Sequence, residues 1–388
     1  MFYYIIDLEG VAIIWKRVLL GIDYILLLIV FALIGIGLVM ISSATHNYSL
    51  FQPNLYLARQ IAAAVLGFIA MMLALFFDYR RLKNYAELIY IGSIVMLVMV
   101  IFFGRTVSGG QRWFYFGPIN FQPSELAKIA IIISLAALLS SKDLELDCWS
   151  DFIYPFLYLS LPAVLVFVQN DLGTALVFGF IMLGMLFLAG ANLKLLLGFV
   201  GGGLASIILW IFLHLQFGLA IPFKHYQLMR LIVFLDPSLD PQNYGYNIIQ
   251  SQIAIGSGGL YGKGLFSGTQ TRLNFLPEQH TDFIFSVVAE ELGFIGSMVV
   301  LFLFFLLLWK GIEIISQAKD RFGILIAGGV VFMFTFHILE NIGMTIGMMP
   351  ITGIPLPFLS YGGSSLLTNM LAIGLLLNIK MRRQKLSF

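Results

Sequence analysis

Long apolar runs govern what this chain can fold into. Ten stretches lie near residues 22–42, 58–77, 86–103, 122–140, 152–168, 172–190, 193–217, 283–309, 322–348 and 363–380. Each is long enough to be read as a helix crossing a hydrocarbon core, which takes about 20 apolar residues. The fifth and sixth are separated only by Gln169, Asn170 and Asp171. The chain is 60% hydrophobic and 11% charged, whereas a soluble domain is about 25% charged, so polar groups could not cover a water-facing surface. Its solvent is mostly lipid, where backbone groups must be satisfied internally. The sequence therefore predicts an all-α, polytopic membrane protein: one transmembrane domain over residues 1–388, with ten transmembrane helices and one long extracellular loop, 218–282, carrying short interfacial helices. The 38 Gly and 36 Phe suit helices that pack closely at glycine and present Phe to acyl chains.

Charge in the short loops sets the orientation. With the N-terminus cytoplasmic, the inside set is Lys16, Arg17, Arg80, Arg81, Lys83, Lys142, Lys194, Lys310, Lys319, Arg321, Lys380, Arg382, Arg383 and Lys385, or 14 of the 22 basic residues. Outside, apart from the long loop, stand only Arg59, Arg105, Arg112 and Lys128. Both termini are therefore expected inside, although loop 141–151 is acidic. Met1 to Trp15 contains Asp7 and Glu9 and has no basic region before its apolar residues, so it is expected to be retained rather than cleaved. The long loop is rich in apolar residues such as Tyr226, Ile232, Phe234 and Ile249, which predicts amphipathic or re-entrant pieces at the outer interface. A net charge of +2 indicates no nucleic-acid partner, and the lone Cys148 excludes an internal disulfide.

Ionisable groups within apolar segments are costly and usually functional. Glu125 and Lys128, at i and i+3 after Pro123, share a helix face near the outer side. They read as a local ion pair, as substrate contacts, or as both, with Ser124 as a helix cap. Asp282 stands where the long loop meets the eighth helix, a place that suits simple capping as well as chemistry. His280 is a partner or merely interfacial. Of the adjacent Glu290 and Glu291, at least one must face the bundle interior. His337 and Glu340, at i and i+3, read as interhelical hydrogen-bonding groups rather than metal ligands. The run from Gly256 to Gly264 lacks phosphate-loop spacing, though its N–H groups with Lys263 could hold an anion. Ser360 to Ser364 reads as a turn and cap that could line a polar path.

These residues carry a resemblance. QSQIAIGSGGLYGKGLFSGTQTRLNFLPEQHTDFIFSVVAEELG at 250–293, FQPSELAKIA at 121–130, GQRW at 110–113, DLGTA at 171–175 and GIPLPFLSYGGSS at 353–365 closely resemble the SEDS (shape, elongation, division, sporulation) family, in order and along the whole chain. Gly268-Thr269-Gln270 is more similar to the RodA, or elongation, branch than to the FtsW, or division, branch. Asn170, His337 and Glu340 depart from the pattern expected there.

The resemblance implies a peptidoglycan glycosyltransferase that polymerises lipid II on the outer face of the bacterial cytoplasmic (inner) membrane during elongation. It makes Asp282 the essential acidic residue, read here as general base. Cations should stabilise the leaving pyrophosphate, with Lys128 first, paired with Asp282, and then Arg112, Lys263, Arg272 and Arg59. Glu125, Gln122, His280 and Ser360 complete the expected substrate-binding set. The set leaves room for a divalent cation (Mg or Mn) held by Asp282 or Glu125 and the pyrophosphate, and no nucleotide is expected. The implied partners are lipid II, undecaprenyl-pyrophosphate-linked glycan, a class B penicillin-binding transpeptidase and other elongation-complex membrane proteins. A lipid II flippase, a scaffold and the division-branch polymerase are the rival readings.

Overall fold

Asp23 begins the first helix by accepting hydrogen bonds from the N–H groups of Ile25 and Leu26, two donors that a helix start leaves unpaired. The computed structural model describes residues 21–46, 54–107, 110–116, 119–141, 146–218 and 225–382. Residues 1–20 and the basic residues Lys142, Arg383 and Lys385 lie outside them. The membrane helices are α1 (Tyr24–Ala44), α2 (Leu55–Phe76), α3 (Ala86–Phe103), α4 (Pro123–Leu139), α5 (Trp149–Val168), α6 (Leu172–Leu188) and α7 (Leu193–Phe217). The long loop contains α8 (His225–Leu235), α9 (Tyr246–Gly258) and the single turn α10 (Thr269–Arg272). Then follow α11 (Ile284–Gln317), α12 (Arg321–Ile346) and α13 (Gly363–Met381). Eight helices among the described residues are at least 18 residues long and apolar enough to span. Helices α4 and α6, with 17 residues each, are short spans.

Burial separates centre from rim. Helices α12 and α13 are mostly buried, whereas α7 is almost wholly exposed. Ile61, Val65, Phe68 and Leu73 of α2 and Phe302, Phe305 and Trp309 of α11 are exposed apolar side chains, as a lipid-facing surface requires. Helices α2 and α13 approach closely at Gly374, where a Cβ would lie 2.9 Å from Ala74 Cβ. Asn378 of α13 donates to the carbonyls of Ala74 and Phe77, satisfying the α2 C-terminus. At the end carrying the α11 and α13 C-termini, Lys380 pairs with Asp23 and with Glu313, and Lys310 pairs with both acids. That network ties α1, α11 and α13 together.

Two features depart from the expected all-helical pattern. Between α3 and α4, β1 (Arg105–Val107), β2 (Gly110–Phe116) and β3 (Ile119–Phe121) form a small antiparallel sheet with Arg105 opposite Trp113 and Phe114 opposite Phe121. Helix α11, expected as one continuous span, breaks at Gly293, whose φ of 67° and ψ of −164° only glycine tolerates well. Segment 259–264 fills the break. Lys263 N donates to Glu290 O at 3.0 Å and Gly264 N to Glu291 O at 3.0 Å. In return Phe294 N donates to Gly259 O at 2.9 Å and Ile295 N to Leu260 O at 3.2 Å. The N–H groups of Lys263 and Gly264 thus meet helix carbonyls rather than an anion, because a broken helix buries backbone groups that need partners. After the break, residues 294–317 are by themselves long enough to cross, at 1.5 Å rise per residue.

Candidate active site

The polar residues converge where the start of α11, the N-terminal ends of α4 and α6, the C-terminal end of α12, and segment 347–362 meet. Asp282 is presented by a turn in which Thr281 N and Asp282 N both donate to Glu278 O. Glu278 itself takes a left-handed φ of 52°. Asn341 Nδ2 of α12 donates 2.8 Å bonds to Asp282 O and to Ile354 O. The N-cap of α11 is Phe283, with no side-chain cap bond, so Asp282 does not cap the helix. Its carboxylate has no ion pair within 4 Å among the described residues. Burial and the neighbouring Glu278 carboxylate push its pKa up to about 6, while Arg230, Arg112 and the Thr281 hydroxyl pull it down. It is thus a half-buried carboxylate whose pKa is drawn toward neutral pH.

Lys128 does not pair with Asp282. Its ammonium donates to Glu125 Oε1 at 2.9 Å and lies 3.1 Å from His337 Nε2. Lys128 and Glu125 are 1% and 3% exposed, and Glu125 Oε2 is buried without a partner. Two buried opposite charges hold each other because either alone would be strongly unfavourable in apolar surroundings. Pro123 opens α4 as expected, but Ser124 Oγ accepts from Gln122 Nε2 instead of capping the helix. Gln122 Nε2 also reaches Asp171 Oδ2 at 3.0 Å, and Asp171 Oδ1 lies 3.7 Å from Arg112 Nη1. Strand β2 carries Arg112 into this position, and sheet and helix corner pack tightly, since a Cβ on Gly110 would lie 2.7 Å from Gln169 O.

Ser360 is a staple rather than a free lining hydroxyl. Its Oγ donates to Thr281 O at 2.6 Å and accepts from Leu356 N at 2.8 Å. His280 accepts from Tyr361 N through its carbonyl, and its ring contacts Tyr56 and Tyr361 at 5.0 and 5.6 Å. Burial lowers the His280 pKa, which keeps the imidazole neutral near pH 7.

Lys263, Arg272 and Arg59 are not drawn into this centre. Lys263 Nζ pairs with Glu290 Oε1 at 2.8 Å, two turns along α11 from Asp282. Glu290 also accepts from Gln270 N, Thr271 N and the hydroxyls of Thr269 and Thr271. Glu291 is buried too and accepts from Ser43 Oγ at 2.5 Å. Arg59 is exposed in the first turn of α2, and Arg272 is exposed in α10. His337 and Glu340 make hydrogen bonds between segments, to Pro355 O at 3.2 Å and from Thr352 Oγ1 at 2.6 Å.

Two residues that sequence reasoning missed belong here. Asp171 joins Arg112 to Gln122, and its place in DLGTA just before α6 was the available signal. Arg230 acts on Asp282 electrostatically and donates to Ile351 O at 3.2 Å. Its signal was a lone cation inside the apolar run from Leu228 to Leu235. No group of three or more His, Cys, Asp or Glu side chains able to hold a metal is present among the described residues.

The comparisons with known proteins agree with this architecture. The chain is 38% identical to the protein named peptidoglycan glycosyltransferase RodA of Treponema pallidum (strain Nichols), covering 93% of this chain and 98% of that one. It is likewise 38% identical to a probable peptidoglycan glycosyltransferase FtsW of Geobacter metallireducens, covering 93% and 95%. A solved structure described as a peptidoglycan synthase complex that coordinates polymerization and crosslinking superposes with a TM-score of 0.80 at 32% identity, covering 93% and 98%. The family described as Cell cycle protein (FtsW, RodA and SpoVE) matches residues 24–385, and this chain belongs to it.

Proposed function

We propose that this protein is the elongation-branch peptidoglycan glycosyltransferase of its cell, polymerising lipid II at the outer face of the cytoplasmic membrane. The observation that carries the reading is Asp282: a half-buried carboxylate with no ion pair among the described residues, on which Arg112 of β2 and Arg230 of α8 act electrostatically. The relatives' shared name supports the activity. The Gly268-Thr269-Gln270 signature supports the elongation branch, which identity alone does not separate from the division branch.

The undecaprenyl-pyrophosphate-linked glycan is the donor and the 4-hydroxyl of lipid II the acceptor. As the hydroxyl oxygen bonds to the anomeric carbon, Asp282 takes its proton and the bond from that carbon to the pyrophosphate breaks. Undecaprenyl pyrophosphate leaves, and the single displacement inverts the anomeric centre. A base with a pKa of about 6 is mostly ionised at pH 7 yet stronger than an ordinary carboxylate. Arg112 and Arg230, which act electrostatically on Asp282, take the role expected of Lys128 in stabilising the charge that develops on the leaving group. With no group of three His, Cys, Asp or Glu ligands among the described residues, a divalent cation here would rest on Asp282 and substrate oxygens, as Mg commonly does, and would supply charge neutralisation. Loss of synthesis on chelation, restored by Mg or Mn, is its test.

A class B penicillin-binding transpeptidase is the proposed partner, because the similar structure comes from a polymerising and crosslinking complex. The deciding experiment is glycan synthesis from purified lipid II by the full chain with that partner, wild type beside Asp282→Asn. Long strands from wild type and none from the variant support the reading. One observation favours transport of lipid II instead: a broken helix beside buried Glu290 and Glu291. Translocation in liposomes without strand synthesis would move the assignment there.

A further inference from the structure

His337 of α12 bridges the buried Lys128 of α4 and the backbone of segment 352–355. On one side its Nε2 is 3.1 Å from Lys128 Nζ, and on the other its Nδ1 is 3.2 Å from Pro355 O. A lysine ammonium has only donors, so Nε2 must accept. A carbonyl oxygen has only lone pairs, so Nδ1 must carry the hydrogen. Both bonds select the same neutral tautomer, and the residue is 1% exposed.

The bond to Pro355 belongs to a larger grip. One turn along α12, Asn341 holds Ile354 O, and Glu340 holds the Thr352 hydroxyl. Three side chains of one helix thus pin residues 352, 354 and 355. The residue between them, Gly353, backs the catalytic carboxylate, since a Cβ there would lie 3.1 Å from Asp282 Oδ2. Asn341 also holds Asp282 O, so carboxylate and backing segment share one anchor.

We propose that His337 is a positioning residue. Through its Nδ1–H bond to Pro355 it fixes segment 352–355 against Asp282, and Lys128, by donating to Nε2, holds the tautomer that makes Nδ1 the donor. The inference rests on the polymerase reading.

Two amide substitutions separate the two bonds. His337→Asn places its amide nitrogen where Nδ1 lies and keeps a donor for Pro355 O. His337→Gln reaches the Nε2 position and keeps an acceptor for Lys128. His337→Leu keeps neither. The readout is the saturating rate of glycan synthesis and the apparent KM for lipid II, on full-length chain with its transpeptidase partner. Losing one buried hydrogen bond should lower the saturating rate about tenfold in the Leu and Gln variants, with KM within about twofold and the Asn variant within about threefold of wild type. Rescue by Gln but not by Asn would overturn the proposal, as would wild-type rates in all three or equal loss in all three. Should the Leu variant fail to insert, the Asn and Gln comparison alone decides. A wild-type chain that makes no glycan would instead refute the polymerase reading.

Discussion

Gly353 and the Asp282 carboxylate face each other at contact distance. A Cβ on residue 353 would lie 3.1 Å from Asp282 Oδ2, and Gly353 has a left-handed φ of 76°. Glycine is required twice over, for backbone and for space. Gly353→Ala should therefore push the carboxylate off its line and lower glycan synthesis by about tenfold or more, with the protein still inserted. Synthesis and detergent-phase monodispersity, measured on the same preparation, check this.

The pKa of Asp282 sets an acid limit on activity. A general base must be ionised to accept a proton, so synthesis should rise with pH through about 6 and fall away below it. Glu278 raises this pKa and Arg230 lowers it. Glu278→Gln should therefore move the acid limb to lower pH, and Arg230→Gln should move it higher. Rate profiles of the three proteins between pH 5 and 8 test the directions.

The same shift has a consequence for stability. The folded-state pKa of Asp282 lies above its ordinary value of 3.8, so the folded protein holds this proton more tightly than the unfolded chain. Ionising it is unfavourable to the fold, and stability falls as pH rises between the two values. Asp282→Asn should thus raise Tm at pH 8, give no gain near pH 3.8, and abolish synthesis. A variant that melts lower at pH 8 would contradict the assigned desolvation.

The junction at the α11 break leaves no space for a side chain. A Cβ on Gly293 would lie 2.2 Å from Gly262 N, and one on Gly262 would lie 2.1 Å from Glu291 O. Both are backbone atoms that cannot rotate aside. Gly293→Ala should destabilise the fold by about 3 kcal/mol or more, read as a lowered Tm in detergent or loss of inserted protein. Gly256→Ala, where nothing lies within 4 Å, is the matched control.

Much of this protein was legible in its sequence, because lipid imposes a strict rule. Apolar runs such as 24–44 and 193–217 must become helices, and their length alone marks them. The ordered motifs likewise named Asp282, Arg112 and Gln122, of which the last two share Asp171 as a partner. The partners of each charge were another matter. Lys128 could have met Asp282 or Glu125, and only the packing of α12 beside α4 showed that His337 and Glu125 enclose it. The glycine run at 256–264 could have offered its N–H groups to an anion, yet those of Lys263 and Gly264 meet the carbonyls of Glu290 and Glu291. Arg230 was hidden in a loop whose path no periodicity reveals. The sequence by itself determined where the chain enters lipid, since that depends on the summed transfer of local side chains. Tertiary structure decided which buried charges face one another, because desolvation and ion pairing depend on distances that only the folded bundle sets.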